Sequence, residues 1–124
     1  MRFLRTSLLA LALLPLPAAT AETIRILIQN SPLAGSQYYA VSKVWNDIRT
    51  GDRLTLIREP DNRHDRNAIR VEWNGHKLGY VPRADNRAAA RALDTGENLE
   101  ARVTRMRDDP DPWRRVEFAV YLTL

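Results

Sequence analysis

Short runs in which apolar and polar residues alternate, each cut off by turn-forming residues, constrain this chain more than any other feature. Val116, Phe118, Val120 and Leu122 take every second position, with Glu117 and Thr123 on the other face. That is the period of a strand with one buried side. Ile24, Ile26 and Ile28 repeat against Arg25 and Gln29, and Leu54 and Leu56 against Arg53 and Thr55. Ile69, Val71 and Trp73 form another such face, and Leu99, Ala101 and Val103 a further one. Asn74-Gly75 fits a two-residue hairpin turn, because both residue types tolerate positive φ. The run through Leu78, Tyr80 and Val81 therefore returns beside the one before it. Tyr39, Val41 and Val44 read as one more extended stretch. Glu59-Pro60-Asp61-Asn62 must leave the sheet, since Pro60 has no ladder donor and Asp61 and Asn62 favour turns.

After Pro82 the period changes. Ala84, Ala88 and Ala92, with Ala89 and Leu93 beside them, recur at helical spacing. Asp85 or Asn86 can cap the start, and Gly96 can take the left-handed position past the end. Asp108-Asp109-Pro110-Asp111-Pro112 is a loop by composition. The fold class is mostly β: about six strands in a small sheet curled into a barrel or half-barrel, with one inserted α-helix.

At 124 residues the default is one domain. There is no cysteine, which excludes disulfides, thiolate zinc sites and a cysteine nucleophile. The stretch 1–21 reads as a signal peptide: Arg2 and Arg5, an apolar run from Leu8 to Leu14, Pro15 and Pro17, then Ala19-Thr20-Ala21 as the cleavage pattern. The apolar run falls short of the ~20 residues of a permanent membrane helix. The expected mature chain is Glu22–Leu124, without a membrane span, secreted to the periplasm and monomeric. Of the 19 basic residues only Lys43 and Lys77 are lysine. Arginine offers a planar fork suited to phosphate and carboxylate, although surface arginines need no ligand to explain them.

No Gly-rich phosphate loop and no Gly-x-Ser-x-Gly elbow is present, and two histidines exclude a three-histidine site. The polar segment from Arg58 to Ile69 lies between two apolar strands, where a rigid sheet can hold binding groups. Its simplest reading is a self-bonded turn, with Asp65 and Asn67 bonding backbone amides. Tyr38-Tyr39 follows Gly35-Ser36-Gln37. If the pair lies on a strand, one ring packs inward while the other stands open to stack on an unpaired base. A metal reading would recruit His64, Asp65, Glu72 and His76, at a spacing that matches no ligand pattern. No metal or cofactor is expected.

Gly35-x-x-Tyr38-Tyr39, then Leu54-x-Leu56-x-Arg58-Glu59-Pro60-x-Asn62-x-x-Asp65-x-Asn67-Ala68-Ile69-x-Val71, then Gly79-Tyr80-Val81-Pro82-Arg83 together resemble the HIRAN domain family. The resemblance extends over about Ile24 to Leu122, within a domain spanning 22–124. It implies a modified OB-like β-barrel. It also implies a nucleic-acid-binding module that, in a fork-remodelling member of the family, captures the free 3′ end of single-stranded DNA. Carried over, Tyr38 and Tyr39 are the stacking and packing pair. Asp65 accepts from the 3′-hydroxyl, Asn62 helps orient it, His64 stands where an aromatic stacks on DNA, and Arg83 contacts phosphate. Gln37 replaces an arginine common before the tyrosines. Hydrolase and zinc activities linked to the family belong to companion domains, so no catalysis is expected. Two alternatives stand: a module for an envelope protein or small ligand, and a metal-dependent hydrolase of phosphate esters or anhydrides using His64, Asp65 and His76.

Overall fold

The computed structural model describes residues 9–16 and 22–124. Arg2, Arg5 and the Ala19-Thr20-Ala21 cleavage pattern lie outside the described residues, while 9–16 carries no regular secondary structure. Among the described residues no helix is long and apolar enough to cross a membrane.

Six antiparallel strands make one sheet: β1 (Arg25–Pro32), β2 (Arg53–Arg58), β3 (Ile69–Trp73), β4 (His76–Tyr80), β5 (Leu99–Met106) and β6 (Val116–Thr123), in the order β1-β6-β5-β2-β3-β4. β2 turns the corner. Arg53 and Leu54 pair with β5, whereas Thr55 to Arg58 pair with β3. A strand shared in this way folds the sheet over its own inner face, burying Leu54, Ile69, Val71, Leu78, Val103 and Phe118. The sheet does not close into a barrel. Its curl is tied where Ala34, just past β1, exchanges two backbone hydrogen bonds of 2.9 Å with Tyr80 of β4, and again where Ala40 N–H donates to the Lys77 carbonyl at 3.0 Å. The approach of Ala34 explains Gly79: a Cβ there would collide with the Ala34 carbonyl.

The Asn74-Gly75 turn forms as its residue types require, with φ of 44° and 80°. The expected extended stretch at Tyr39–Val44 is not a strand. Ser36–Tyr38 is a 3-10 turn and α1 (Val41–Val44) is a short helix. Val41, Val44 and Ile48 are all buried at i, i+3 and i+7, a helical stripe that the alternation of Tyr39 and Val41 obscures. The later helix also shifts: α2 spans Arg87–Asp94, preceded by a separate 3-10 turn at Arg83–Asp85. It buries Ala89 and Ala90 against the core, leaving Ala84 and Ala88 exposed. Gly96 has the left-handed φ of 79° expected after the helix, and its N–H donates to the Leu93 carbonyl.

Candidate functional site

Between β2 and β3 the chain leaves the sheet for ten residues and returns to the same ladder. Glu59 N–H donates to the Ala68 carbonyl at 3.0 Å, closing the loop at its neck. Arg58, the last residue of β2, braces the loop from beneath. Its guanidinium donates to the carbonyls of Ala68 (2.8 Å) and Arg66 (3.0 Å) and grips the Asp94 carboxylate at 2.9 Å. One fork thus fixes both ends of the loop's second half to the C-terminal end of α2.

Within the loop, side chains replace regular backbone pairing. Asn62 Oδ1 accepts from the N–H groups of His64 and Asp65 (2.9 and 3.2 Å), and Asp65 Oδ1 accepts from Asn67 N–H (2.9 Å). The self-bonded turn is therefore real, but Asn62 and Asp65 make it, while Asn67 contributes only its N–H. The second Asp65 oxygen accepts from Asn86 Nδ2 at 2.6 Å. Asn86 is buried and does not cap α2 with its side chain. Each Asp65 oxygen takes one donor here, and a carboxylate oxygen has room for two. Nothing local in the sequence signals the bond between Asn86 and Asp65, because 21 residues separate them.

The neighbouring wall is aromatic. Tyr39 and Tyr80 meet edge to face with ring centroids 5.9 Å apart. The Lys77 ammonium lies 4.1 Å from the Tyr39 centroid and 4.7 Å from that of Tyr80, a cation–π arrangement. Glu59 completes the group, accepting from Tyr80 Oη (2.9 Å), Asn62 Nδ2 (3.0 Å) and Arg70 (3.0 Å). Burial alone would raise the Glu59 pKa. The hydrogen bonds from Asn62 and Tyr80, with the charges of Lys77 and Arg70, reverse that and hold it below its ordinary value. Burial likewise works against the Lys77 ammonium, but the two tyrosine hydroxyls raise its pKa on balance. The Tyr80 phenol is pushed up by burial and by its bond to Glu59, despite the opposing effect of Lys77.

Tyr39, Asn62, His64, Asp65 and Arg83 line one open hollow of about 260 Å³, together with Ala34, Ala68, Tyr80 and Val81. Tyr38 does not line it. Because the pair sits at the end of a 3-10 turn rather than on a strand, Tyr38 projects into solvent at 77% exposure and Tyr39 is 37% exposed. Tyr80 takes the second aromatic place in the wall, which its position in the Gly79-Tyr80-Val81 strand does not announce. The metal set is scattered. His76 stacks on Trp73, with centroids 6.3 Å apart, and Glu72 lies beside Arg70. Among the described residues no group of three or more acids and histidines could hold a metal ion.

The arrangement is a polar recess with one fixed carboxylate, one aromatic wall and an arginine at its rim. It suits a group that offers a hydroxyl, a flat face and a negative charge together. A search by sequence among curated proteins finds no match. Among solved structures, a Lactobacillus plantarum protein determined as a structural-genomics target is similar, with a TM-score of 0.70 and 27% identity over 82% of this chain and 98% of that one. The HIRAN domain of human HLTF is similar in fold, with a TM-score of 0.59 and 21% identity over 80% of this chain and 77% of that one. The family model described as the HIRAN domain matches residues 26–124, a span that takes in the loop, the tyrosines and all but the first residue of the sheet. The chain belongs to the HIRAN domain family.

Proposed function

We propose that this chain is a nucleic-acid-binding module that holds the 3′-hydroxyl end of single-stranded DNA, acts outside the cytoplasm and has no catalysis of its own. The observation that carries the reading is the Asp65 carboxylate fixed by Asn67 and Asn86 in the same hollow as Tyr39 and Arg83. The free lone pairs of Asp65 accept the terminal hydroxyl, and the open face of Tyr39 stacks on the last base. Arg83 meets the adjoining phosphate. His64, exposed at the rim, offers a smaller stacking surface than a phenol or indole. Family membership supports the same reading, since capture of free 3′ ends is known in the family. Asn62 shapes the loop by bonding the amides of His64 and Asp65, so its part is to orient Asp65.

Titration of fluorescent oligonucleotides bearing a free or a phosphate-blocked 3′ end tests this. The free end should bind at least tenfold more tightly, and Asp65→Ala should erase that difference while leaving binding of the blocked end unchanged. Equal affinity for both ends in the wild type, or no binding at low salt, overturns it. For export, support comes from the leader pattern and from Leu9, Leu11, Leu13, Leu14 and Leu16, which are at least 78% exposed among the described residues. Cell fractionation with N-terminal sequencing should recover a chain beginning at Glu22.

One observation favours a second reading as a module for an envelope protein. The edge strand β1 leaves Ile26, Leu27 and Ile28 at least 40% exposed, and among the described residues its outer backbone groups face no neighbouring strand. An extended segment of a partner could add to that edge. Crosslinking through a photoreactive residue placed at Ile26 should then trap a partner that Ile26→Lys no longer binds.

A further inference from the structure

Ten of the arginines, five in each of two groups, bear on the candidate site and its frame. Arg25, Arg53, Arg58, Arg70 and Arg102 are held by carboxylates within 3.3 Å. Arg63, Arg66, Arg83, Arg87 and Arg91 make no ion pair or side-chain hydrogen bond among the described residues, and all five are exposed. The second set lines the hollows at and beside the candidate site.

The hollows around them adjoin one another. The hollow beside Tyr39 shares Asn62, His64, Asp65 and Arg83 with a second one of about 440 Å³, whose walls add Arg63, Arg66 and Arg87. The second shares Asn67 and Arg87 with a third of about 810 Å³ along α2, whose walls add Arg91. Arg87 and Arg91 are four residues apart on one helix, so they stand on the same face about 6 Å apart along its axis. Ala88 and Ala92 line the same wall, small enough to leave the trough open. Of the acids in the third hollow, Asp94 is already neutralised by Arg58. Glu97 stands past the end of α2 and marks where the favourable charge stops.

We propose that Arg87 and Arg91 carry the sugar-phosphate backbone of single-stranded nucleic acid away from the end-binding hollow, so that the terminus sits at Tyr39 and Asp65 and the upstream phosphates run along α2. The inference rests on the end-binding reading and gives that site a direction and a length. No aromatic side chain lines the hollow along α2, so the contacts proposed there are charge contacts to phosphate. They therefore carry no sequence preference. Each phosphate neutralised on a single strand contributes about −0.7 to the slope of log affinity against log salt.

The test is a length series of oligothymidylates with free 3′ ends, from two to nine nucleotides, against the mature wild type and Arg87→Gln/Arg91→Gln. Both side chains are exposed and unbonded, so the double variant should keep the wild-type unfolding midpoint. Wild-type affinity should rise with length and level off by about six nucleotides, whether the upstream positions carry bases or are abasic. The double variant should match the wild type on the dinucleotide and keep the free-end preference. It should gain little beyond that length, with a salt slope shallower by about 1.4 on the longer strands. Equal length dependence in the two proteins overturns the track while leaving the end pocket standing. Equal loss on the dinucleotide overturns it too, by placing the arginines in the end pocket. No binding of any oligothymidylate by the wild type overturns both readings.

Discussion

Asn86 makes the fewest concessions to its surroundings. It is buried, its amide donates to one carboxylate, and the helix it precedes starts without the side-chain cap that its type usually supplies. Asn86→Ala removes a hydrogen bond to a charged group and should lower stability by ~1.5–3 kcal/mol, read from urea unfolding. In the same variant Asp65 keeps only its bond from Asn67, so the preference for a free 3′ end should fall while binding of a blocked end persists. Gly79→Ala tests a different constraint. The added methyl meets the Ala34 carbonyl at a point where the curled sheet is tied, and the cost should be ~1–3 kcal/mol with no change in the isolated hairpin turn.

At the scale of elements, the loop between β2 and β3 is an ordered excursion rather than a slack connection, because Arg58 holds it to α2 from below. Lysine at this position offers one compact ammonium in place of the fork and cannot reach both carbonyls and Asp94 together. Arg58→Lys should therefore speed amide exchange in residues 59–68 about tenfold and leave β5 and β6 protected, as hydrogen–deuterium exchange would show. The strands with alternating side chains were legible in the sequence, as were the hairpin turn and Gly96, because each of these is decided by neighbours within a few residues. The α1 segment was not, since four residues fit either period and tertiary burial of Val44 and Ile48 decided the matter. The candidate site was half legible. The residue types of the loop stand out in the sequence, but the partners that fix them, Asn86 and Tyr80, arrive from 21 residues away.

Taken whole, the molecule keeps its charges productive over a defined range of pH. Glu100 is nearly buried and draws in Arg25, Arg53 and Arg102. Burial alone would raise its pKa, but the hydrogen bonds and charges of Arg102 and Arg25 lower it on balance, as at Glu59. A carboxylate depressed by folding stabilises fully above its ordinary value of 4.5 and loses that contribution as pH falls through its lower folded value. Lys77 and Tyr80 are both raised, so their contribution holds below the ordinary values of 10.5 and 10.0 and is lost as pH climbs through the folded ones. The urea midpoint should hence be level between about pH 5 and 10 and fall on either side. Glu59→Gln should flatten the acid limb and Lys77→Met the alkaline one.

The tie between Ala34 and Tyr80 is built wholly from main-chain atoms, yet Ala34 also lines the hollow. A saturation library at position 34 should keep the architecture with almost any residue except proline, which lacks the donor. Each larger choice would narrow the cavity, so this is where the protein can retune the size of its guest at little expense to its frame.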